Sequence, residues 1–304
     1  MRLFVTGASG WIGSHVVAEL LANGHQVLGL ARSEASGEAI AAAGAEVRRG
    51  EVTDLDVLRD AAVECDGVVH LAFRHDVAFS GDFDTAVASD HAAIETFGEA
   101  LAGSDKPFAI ASGLAGVRRG EIATEDDRPE PTPGPGGRVA NERTALALAN
   151  RGVRSMSVRF APTVHGAGDY GFIALAIAAD REHGTAAYVG DGENRWPAVH
   201  VSDAARLVRL GIEGAPAGLV LHAAAEEGVA FREIAEAIGH RFELPATSLS
   251  AEQAAEQFGF LARFVGMDIP ASSARTRELL GWVPTAPGLI TDIEAGAYDL
   301  APVA

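Results

Sequence analysis

Three glycines at the end of the first apolar run could hold the phosphates of a nucleotide. Gly7, Gly10 and Gly13 lie three residues apart, between a strand-like segment at 3–6 and a segment of helical period. Glycines there permit a tight turn, let backbone N–H groups approach a pyrophosphate, and place it at the positive end of a helix dipole. The predicted phosphate-binding residues are Gly7, Ser9, Gly10, Trp11, Ile12 and Gly13.

The second apolar run ends in an arginine, about twenty residues beyond the turn, where a dinucleotide site for NAD usually has a carboxylate. Such a carboxylate bonds the ribose 2′-hydroxyl, whereas Arg32 can form a charge-assisted fork with a 2′-phosphate. Ser33 can donate a further hydrogen bond. The pair predicts NADP (NADPH) as the cofactor. The alternative is that Arg32 is a solvated arginine at a strand end.

Four polar residues follow later strands and could act on a substrate. Ser112 closes the fifth strand, His75 follows the fourth, and His165 and Tyr170 follow the sixth. The carboxyl ends of parallel strands share one edge of a sheet, so Ser112 could orient a substrate there and the other three could donate a proton. The alternatives are a turn-forming serine and polar loop residues bonded to backbone.

Alternating strand and helix patterns predict the elements that position these residues. Val-, Ile- and Leu-rich runs at 3–6, 26–31, 46–49, 67–71, 108–111 and 155–160 alternate with Ala-rich helical segments. This alternation is typical of an α/β fold, a Rossmann-type doubly wound parallel sheet. Residues 218–222 could add a seventh strand. A Pro/Gly-rich loop at 128–137 is expected to cover the ligand crevice.

The alternation fades after Gly166, which predicts a smaller C-terminal substrate lobe. Helices are expected at 172–182 and 202–213, a loop at 190–197, and short helices with a Pro-containing tail from Glu226 onward. We therefore assign 1–165 and 198–225 to the NADP-binding Rossmann domain, and 166–197 and 226–304 to the substrate-binding lobe.

The composition excludes several classes of protein. A formal net charge of −18 argues against a nucleic-acid partner, because a duplex binder needs a basic face. No apolar run reaches the length of a membrane span, so a cytoplasmic location is expected. The single cysteine, Cys65, excludes a disulfide within the chain and a Cys-based zinc site, and no metal is predicted. The single lysine among 24 basic residues indicates a GC-rich bacterial coding bias.

Several motifs together resemble the extended short-chain dehydrogenase/reductase family, the NAD-dependent epimerase/dehydratase group. Besides the glycine turn, they are Val-His-Leu-Ala at 69–72, Arg159 with Val-His-Gly at 164–166, His-Val-Ser-Asp at 200–203 and Leu-Gly-Trp-Val-Pro at 280–284. The resemblance implies adenine contacts from Glu51 and Val52, and ribose or nicotinamide contacts near Leu71, Ala72 and Pro162 to Val164. It also implies a possible homodimer through helices at about 84–101 and 138–150.

The chain departs from the family at the catalytic Tyr-x-x-x-Lys pair. No tyrosine has a lysine four residues on, and the only lysine is Lys106. Counting back from Arg159 and Gly152 places Arg138 at the lysine position and Gly134 at the tyrosine position. Arg138 could bond the ribose hydroxyls, but its pKa above about 12 prevents it from donating a proton.

These features predict an NADP-dependent oxidoreductase acting on a small-molecule substrate. The expected reaction is NADPH-dependent reduction of a small organic carbonyl or imine, or the reverse oxidation of an alcohol. Two alternatives stay open, a non-catalytic NADP-sensing regulator and a sugar-nucleotide epimerase or dehydratase. The second alternative is disfavoured because those reactions rely on the missing tyrosine.

Overall fold

A computed structural model describes residues 1–299. Its strands are β1 (Arg2–Thr6), β2 (Gln26–Ala31), β3 (Glu46–Arg49), β4 (Gly67–His70), β5 (Pro107–Gly113), β6 (Arg154–Phe160), β7 (Thr163–His165), β8 (Ala186–Val189), β9 (Arg195–His200), β10 (Leu219–Ala223), β11 (Glu226–Ala230) and β12 (Ala246–Leu249).

Its α-helices are α1 (Trp11–Ala22), α2 (Glu34–Ala42), α3 (Leu55–Glu64), α4 (His75–Phe79), α5 (Phe83–Ala100), α6 (Gly137–Ala147), α7 (Phe172–His183), α8 (Val201–Gly214), α9 (Phe231–Phe242), α10 (Ala251–Phe258), α11 (Ala262–Val265), α12 (Ala274–Leu280) and α13 (Leu289–Glu294). Short 3₁₀ turns lie at Leu114–Gly116, Gly134–Gly136, Leu148–Arg151 and Gly259–Leu261.

The main sheet has seven parallel strands in the order β10-β6-β5-β4-β1-β2-β3. β1 and β4 are parallel neighbours at the centre of the sheet. Strands β2 and β3 are added on the β1 side, whereas β5, β6 and β10 are added on the β4 side, so the order of strand addition changes between β1 and β4. Strands of this kind are buried on both faces: Leu3 and Val5 of β1 pack on one side and Phe4 on the other. The predicted Rossmann-type α/β fold is confirmed, including the seventh strand near 218–222.

Helices cover both faces of this sheet. α1, α2 and α8 pack on the face of Leu3 and Val5, while α3, α5 and α6 pack on the face of Phe4. Cys65 is buried in the second of these cores, as a small apolar residue would be. In the parallel arrangement, the loops that follow β1, β2, β4 and β5 all leave the sheet at its carboxyl edge, where ligands of open α/β sheets bind.

A third core lies in the C-terminal lobe, which contains strands that the sequence did not predict. β9 pairs with β7 and with β11, and β12 pairs with β8. The predicted loop at 190–197 is therefore wrong from Arg195, where β9 begins, and the region after Glu226 is not helical throughout. These strands are four to six residues long and find their partners far away in sequence, so no local period marks them.

The expected boundary at 197/198 falls inside β9, which belongs to both lobes. Trp196 and Ala198 pack into the C-terminal core, whereas Val199 packs into the core of the main sheet. Trp282 of the Leu-Gly-Trp-Val-Pro motif donates an indole hydrogen bond to the Asp203 carbonyl of α8, 3.0 Å away. Within residues 1–299, none of the helices combines the length and the apolar character that a bilayer crossing requires.

Candidate active site

The glycine turn between β1 and α1 has the shape that a dinucleotide phosphate site needs. Gly7 has a φ of +68°, and a Cβ there would lie 2.9 Å from the Ala72 nitrogen. At Gly13 a Cβ would lie 1.9 Å from the Gly7 carbonyl oxygen. Side chains are therefore excluded at both positions. Gly10 precedes α1 as its N-cap, and the helix has no side-chain cap and no acidic residue in its first turn. This uncapped, positively polarised end fits a pyrophosphate.

A buried hydrogen-bond network holds this turn against the end of β4. Thr6 bonds His70 Nδ1 at 2.7 Å and accepts a hydrogen bond from the Ala72 N–H at 3.2 Å. His70 Nε2 lies 3.1 Å from Asp90, which also accepts a 2.7 Å bond from Asn141. The network joins β1, β4, α5 and α6 below the cofactor site. Thr6, Asp90 and Asn141 were missed, because no sequence spacing relates them.

Tyr170, from the loop after β7, contacts the first residue of the phosphate-binding helix α1. Its hydroxyl oxygen accepts a 2.8 Å hydrogen bond from the backbone N–H of Trp11, the first residue of α1. The indole of Trp11 in turn donates to the Val164 carbonyl at 2.7 Å. Tyr170, Trp11 and Val164 are thus brought together, as expected for cofactor contacts at the two latter positions. The hydroxyl of Tyr170 faces the phosphate turn rather than the end of β5.

The other predicted cofactor residues lie along the same sheet edge. Glu51 and Val52 follow β3, and the Glu51 N–H is fixed by a 2.8 Å bond to Asp54. Leu71 follows β4, and Pro162 precedes β7. These positions are compatible with adenine contacts at one end of the site and nicotinamide contacts at the other.

Arg32 and Ser33 lie together after the end of β2, but the Ser33 side chain already hydrogen-bonds the first turn of α2. The Ser33 hydroxyl caps α2, accepting a hydrogen bond from the Ser36 N–H at 3.2 Å. Arg32 is exposed and forms an ion pair with Asp76 at 3.1 Å. Arg49, at the end of β3, donates to the Ser33 carbonyl and was not among the predicted residues.

Ser112 is the penultimate residue of β5 and lies near the Glu142 carboxylate, which hydrogen bonds hold in place. The Glu142 carboxylate accepts bonds from Ser157 at 2.5 Å and from buried Arg159 at 2.6 and 2.9 Å, and the nearby Ser112 hydroxyl adds a weaker stabilisation of its charged form. Burial would raise the pKa of Glu142, but the hydrogen bond and charge of Arg159 outweigh it and hold the pKa below its ordinary value. Ser112 therefore lies near a fixed carboxylate acceptor.

Arg138, at the family's lysine position by counting, lies beside the end of β5. Its Nη2 donates to the Ala111 carbonyl at 3.1 Å, and its guanidinium stacks 4.6 Å from the centre of the Phe73 ring. Burial lowers the pKa of Arg138, while the charges of Asp90 and Glu142 oppose that shift. An arginine starts from so high a pKa that it stays charged and can donate hydrogen bonds but not a proton.

His75 is the predicted proton donor that reaches the neighbourhood of Ser112 and Arg138. Its ring lies 5.1 Å from Phe73, the ring on which Arg138 stacks. Neighbouring atoms partly desolvate the His75 ring and lower its pKa although the residue reaches solvent, and the positive charge of Arg138 lowers the pKa further. Gly134, at the family's tyrosine position, has a φ of +67° and open space where a Cβ would lie.

His165 lies away from this group, between the two lobes. It is buried, and its Nδ1 bonds Asp292 of α13 at 2.6 Å, while Nε2 has no hydrogen-bond partner within residues 1–299. His200 lies 3.7 Å from the same carboxylate. Sequence position placed His165 correctly after β6, but the packing of α13 over β7 removes it from the open edge.

The C-terminal lobe contains an open cavity of about 490 Å³. It is lined by Arg119, Val189, Ala254, Ala262, Arg263 and Met267, among others. Arg119 comes from the loop after β5, so one wall of the cavity is formed by the chain segment that follows the strand of Ser112.

Among the relatives that match most of the chain are proteins of Schizosaccharomyces pombe and Dictyostelium discoideum. Over 300 residues, 98% of this chain and 100% of the relative, it is 44% identical to an uncharacterized protein of Schizosaccharomyces pombe. Over 243 residues, 76% of this chain and 74% of the relative, it is 25% identical to a sterol-4-alpha-carboxylate 3-dehydrogenase (decarboxylating) of Dictyostelium discoideum. The first relative is fungal and gives no support to the bacterial origin that the amino-acid usage indicates.

Among solved structures, the chain resembles a UDP-glucuronic acid 4-epimerase of Bacillus cereus in complex with UDP-glucuronic acid and NAD. The TM-score is 0.75 at 21% identity, covering 98% of each chain, and this likeness shows the shared fold. The model of the NAD dependent epimerase/dehydratase family matches residues 3–221, which include nearly all of the seven-stranded sheet. The chain therefore belongs to the NAD-dependent epimerase/dehydratase family, a family of NAD-dependent enzymes with the fold of extended short-chain dehydrogenases.

Proposed function

We propose that this protein is an NADP-dependent oxidoreductase that reduces a small organic carbonyl or imine, or oxidises the corresponding alcohol. The observation that carries the proposal is that Arg138 donates a hydrogen bond to the Ala111 carbonyl, beside Ser112, at the carboxyl edge of the sheet. Ser112 lies on β5, which neighbours β4, and the end of β4 contacts the Gly7 turn. A substrate at Ser112 would thus lie within the crevice where a nicotinamide cofactor binds.

The residues of this group have separable tasks. The cofactor, when bound, supplies or accepts the hydride. The Ser112 hydroxyl orients the substrate oxygen or nitrogen, with the fixed Glu142 carboxylate nearby. Arg138 places a permanent positive charge beside the site, where it can bond ribose hydroxyls and stabilise negative charge that develops on the substrate.

We propose His75 as the side chain that donates the proton. Of the three predicted donors, it alone shares an aromatic neighbour with Arg138, since Tyr170 is bonded to Trp11 and His165 to Asp292. A histidine can act as a general acid when its imidazolium form is populated. Water is the alternative donor in this partly open crevice.

The direct test is incubation with NADPH and a panel of small carbonyls and imines, following loss of the reduced-cofactor absorbance. Ser112→Ala should lower turnover by about 10²-fold while NADPH affinity stays within a few fold. Ser89→Ala, which removes a hydroxyl bonded only within α5, serves as the matched control. Full activity in Ser112→Ala would contradict the assignment of the substrate site.

A non-catalytic NADP sensor is the second candidate, favoured by the loss of the Tyr-x-x-x-Lys pair. Tight NADPH binding without turnover on any substrate would establish it. A sugar-nucleotide epimerase or dehydratase is the third, favoured by the likeness to the UDP-glucuronic acid 4-epimerase. Gly134 leaves that chemistry without its tyrosine, so conversion of a sugar nucleotide with bound NAD would decide for it.

A further inference from the structure

Two arginines, not one, lie where the adenosine end of the cofactor would bind. β2 and β3 are parallel neighbours, and Ala31 of β2 pairs directly with Arg49 of β3. Arg32, the next residue, is therefore close to Arg49 at the same carboxyl edge. No sequence pattern singles out Arg49, because it follows Arg48 in a strand where both side chains could be solvated.

The guanidinium of Arg49 lies flat on the first turn of α2. Its Nη1 donates to the Ser33 carbonyl, and its Nη2 pairs with Glu34 at 3.2 Å. An ideal Cβ on Gly37 would lie only 2.5 Å from Nη1, so the absence of a side chain at Gly37 gives the guanidinium its seat. Arg49 is thereby positioned against the segment that carries Arg32.

Both arginines are paired with exposed carboxylates that an anion could replace. Arg32 contacts Asp76 at 3.1 Å, and the side chains of Asp76 and Glu34 are 53% and 83% exposed. Exposed ion pairs contribute little free energy, whereas a phosphate accepts charge-assisted and bidentate bonds from guanidinium groups. The start of α2 adds the positive end of a helix dipole.

We infer that Arg49 is a second specificity-determining residue, which binds the 2′-phosphate of NADP jointly with Arg32. The phosphate displaces Asp76 from Arg32 and Glu34 from Arg49. This inference rests on the proposed NADP dependence. It adds Arg49 to the site, explains why Gly37 lacks a side chain, and names Asp76 and Glu34 as the carboxylates that the phosphate replaces.

The test is calorimetric titration of the protein with NADPH, NADH, 2′-AMP and 5′-AMP. Arg49→Ala should weaken NADPH and 2′-AMP by about tenfold, and leave NADH and 5′-AMP within about twofold, because a charge-assisted bond to the phosphate is lost. Arg48→Ala is the matched control, since that neighbouring arginine pairs with Glu64 at 2.7 Å on the other side of the strand.

Gly37→Ala provides a second variant that removes no charge. The new methyl group displaces the Arg49 guanidinium, while alanine in a helix is more stable than glycine, so α2 should remain folded. We expect a several-fold loss of NADPH affinity with unchanged NADH affinity and an unchanged circular dichroism spectrum.

The outcomes separate this inference from the proposed function. If the wild-type protein does not prefer NADPH, the proposed NADP dependence fails, and with it the inference. If the wild-type protein prefers NADPH and Arg32→Ala abolishes the preference while Arg49→Ala leaves it intact, the inference alone is overturned. Loss of the preference in both single variants supports joint binding of the phosphate.

Discussion

Arg138 and Gly134 limit the chemistry available at the positions where the family has its lysine and tyrosine. The guanidinium of Arg138 can hold a charge in place but cannot exchange a proton. Gly134 has a φ of +67°, a conformation that other L-residues adopt at a cost. Replacing Gly134 with tyrosine would therefore strain the backbone, so this single substitution is not expected to restore the family's catalytic pair.

The pH dependence of reduction tests His75 as the proton donor. Its pKa lies below the ordinary value of 6.5, because neighbouring atoms partly desolvate the ring and Arg138 is positively charged, and the imidazolium is the donating form. Turnover should therefore be highest at acidic pH and fall as the pH rises through a midpoint below 6.5. His75→Gln should lower turnover by about 10²-fold and remove this dependence. The measurement is the pH profile of kcat with a confirmed substrate.

His183→Gln is the control for that experiment, because His183 is an exposed histidine that bonds only the Ala179 carbonyl of its own helix. A wild-type profile that stays flat through neutral pH, together with full turnover in His75→Gln, would exclude His75 and leave water as the donor.

At the scale of elements, the glycines of the β1–α1 turn differ in whether they tolerate a side chain: Gly7 and Gly13 do not, whereas Gly10 does. Gly10 has an extended backbone that valine can adopt, and a Cβ there would lie 3.3 Å from the Gly7 oxygen, a tight but adjustable contact. Gly10→Val should therefore fold and yet lose NADPH binding, because its side chain occupies the pyrophosphate space. Calorimetry and circular dichroism measure the two properties separately.

Gly214→Val is the matched control for Gly10→Val, since a Cβ at the end of α8 would meet open space. A folded Gly10→Val protein that binds NADPH normally would show that the phosphates do not bind at this turn.

The packing of α7 against β8 and α10 contains a buried acid that makes stability depend on pH. Burial raises the pKa of Asp180 from 3.8 to about 8, although it accepts bonds from Ala187 and Gln257. The unfolded chain ionises first as the pH rises, so this group costs stability progressively between about pH 4 and pH 8. Asp180→Asn should match the wild-type melting temperature near pH 4 and exceed it at pH 8.

Thermal unfolding across that range measures the effect, with exposed Asp60→Asn as the control. A melting-temperature difference between Asp180→Asn and the wild type that does not change with pH would contradict the raised pKa.

Local patterns predicted the main sheet, its helices and the glycine turn, because each depends on residues a few positions apart. The C-terminal strands escaped prediction because β11 and β12 acquire their conformation from distant partners. The same limit applies to the site. Arg138 and Ser112 could be placed by counting, whereas Arg49 depends on the packing of β3 against α2.

At the scale of the whole molecule, we expect a homodimer formed by α5 and α6, which cover one face of the sheet. Ala88 of α5 is exposed, and its small side chain would allow close approach of a second helix. The protein should elute with about twice the chain mass of 31.4 kDa, and Ala88→Arg should shift it to the monomer mass. Light scattering with size-exclusion chromatography measures both.

Asp60→Arg reverses the charge at an exposed position of α3, outside the predicted interface, and should leave the dimer intact. A wild-type protein of monomer mass at micromolar concentration would contradict the dimer.

The contact between Tyr170 and Trp11 has a consequence for the speed of cofactor binding. A pyrophosphate and the Tyr170 hydroxyl would compete for one N–H at the start of α1, so the hydroxyl must leave before the phosphates are seated. Gly166 and Gly168, both with positive φ, lie just before Tyr170 in the loop that must move. Association should then occur in two steps, with an observed rate that levels off at high NADPH concentration. In Tyr170→Phe, which lacks the oxygen, the rate should continue to rise in proportion to the cofactor concentration.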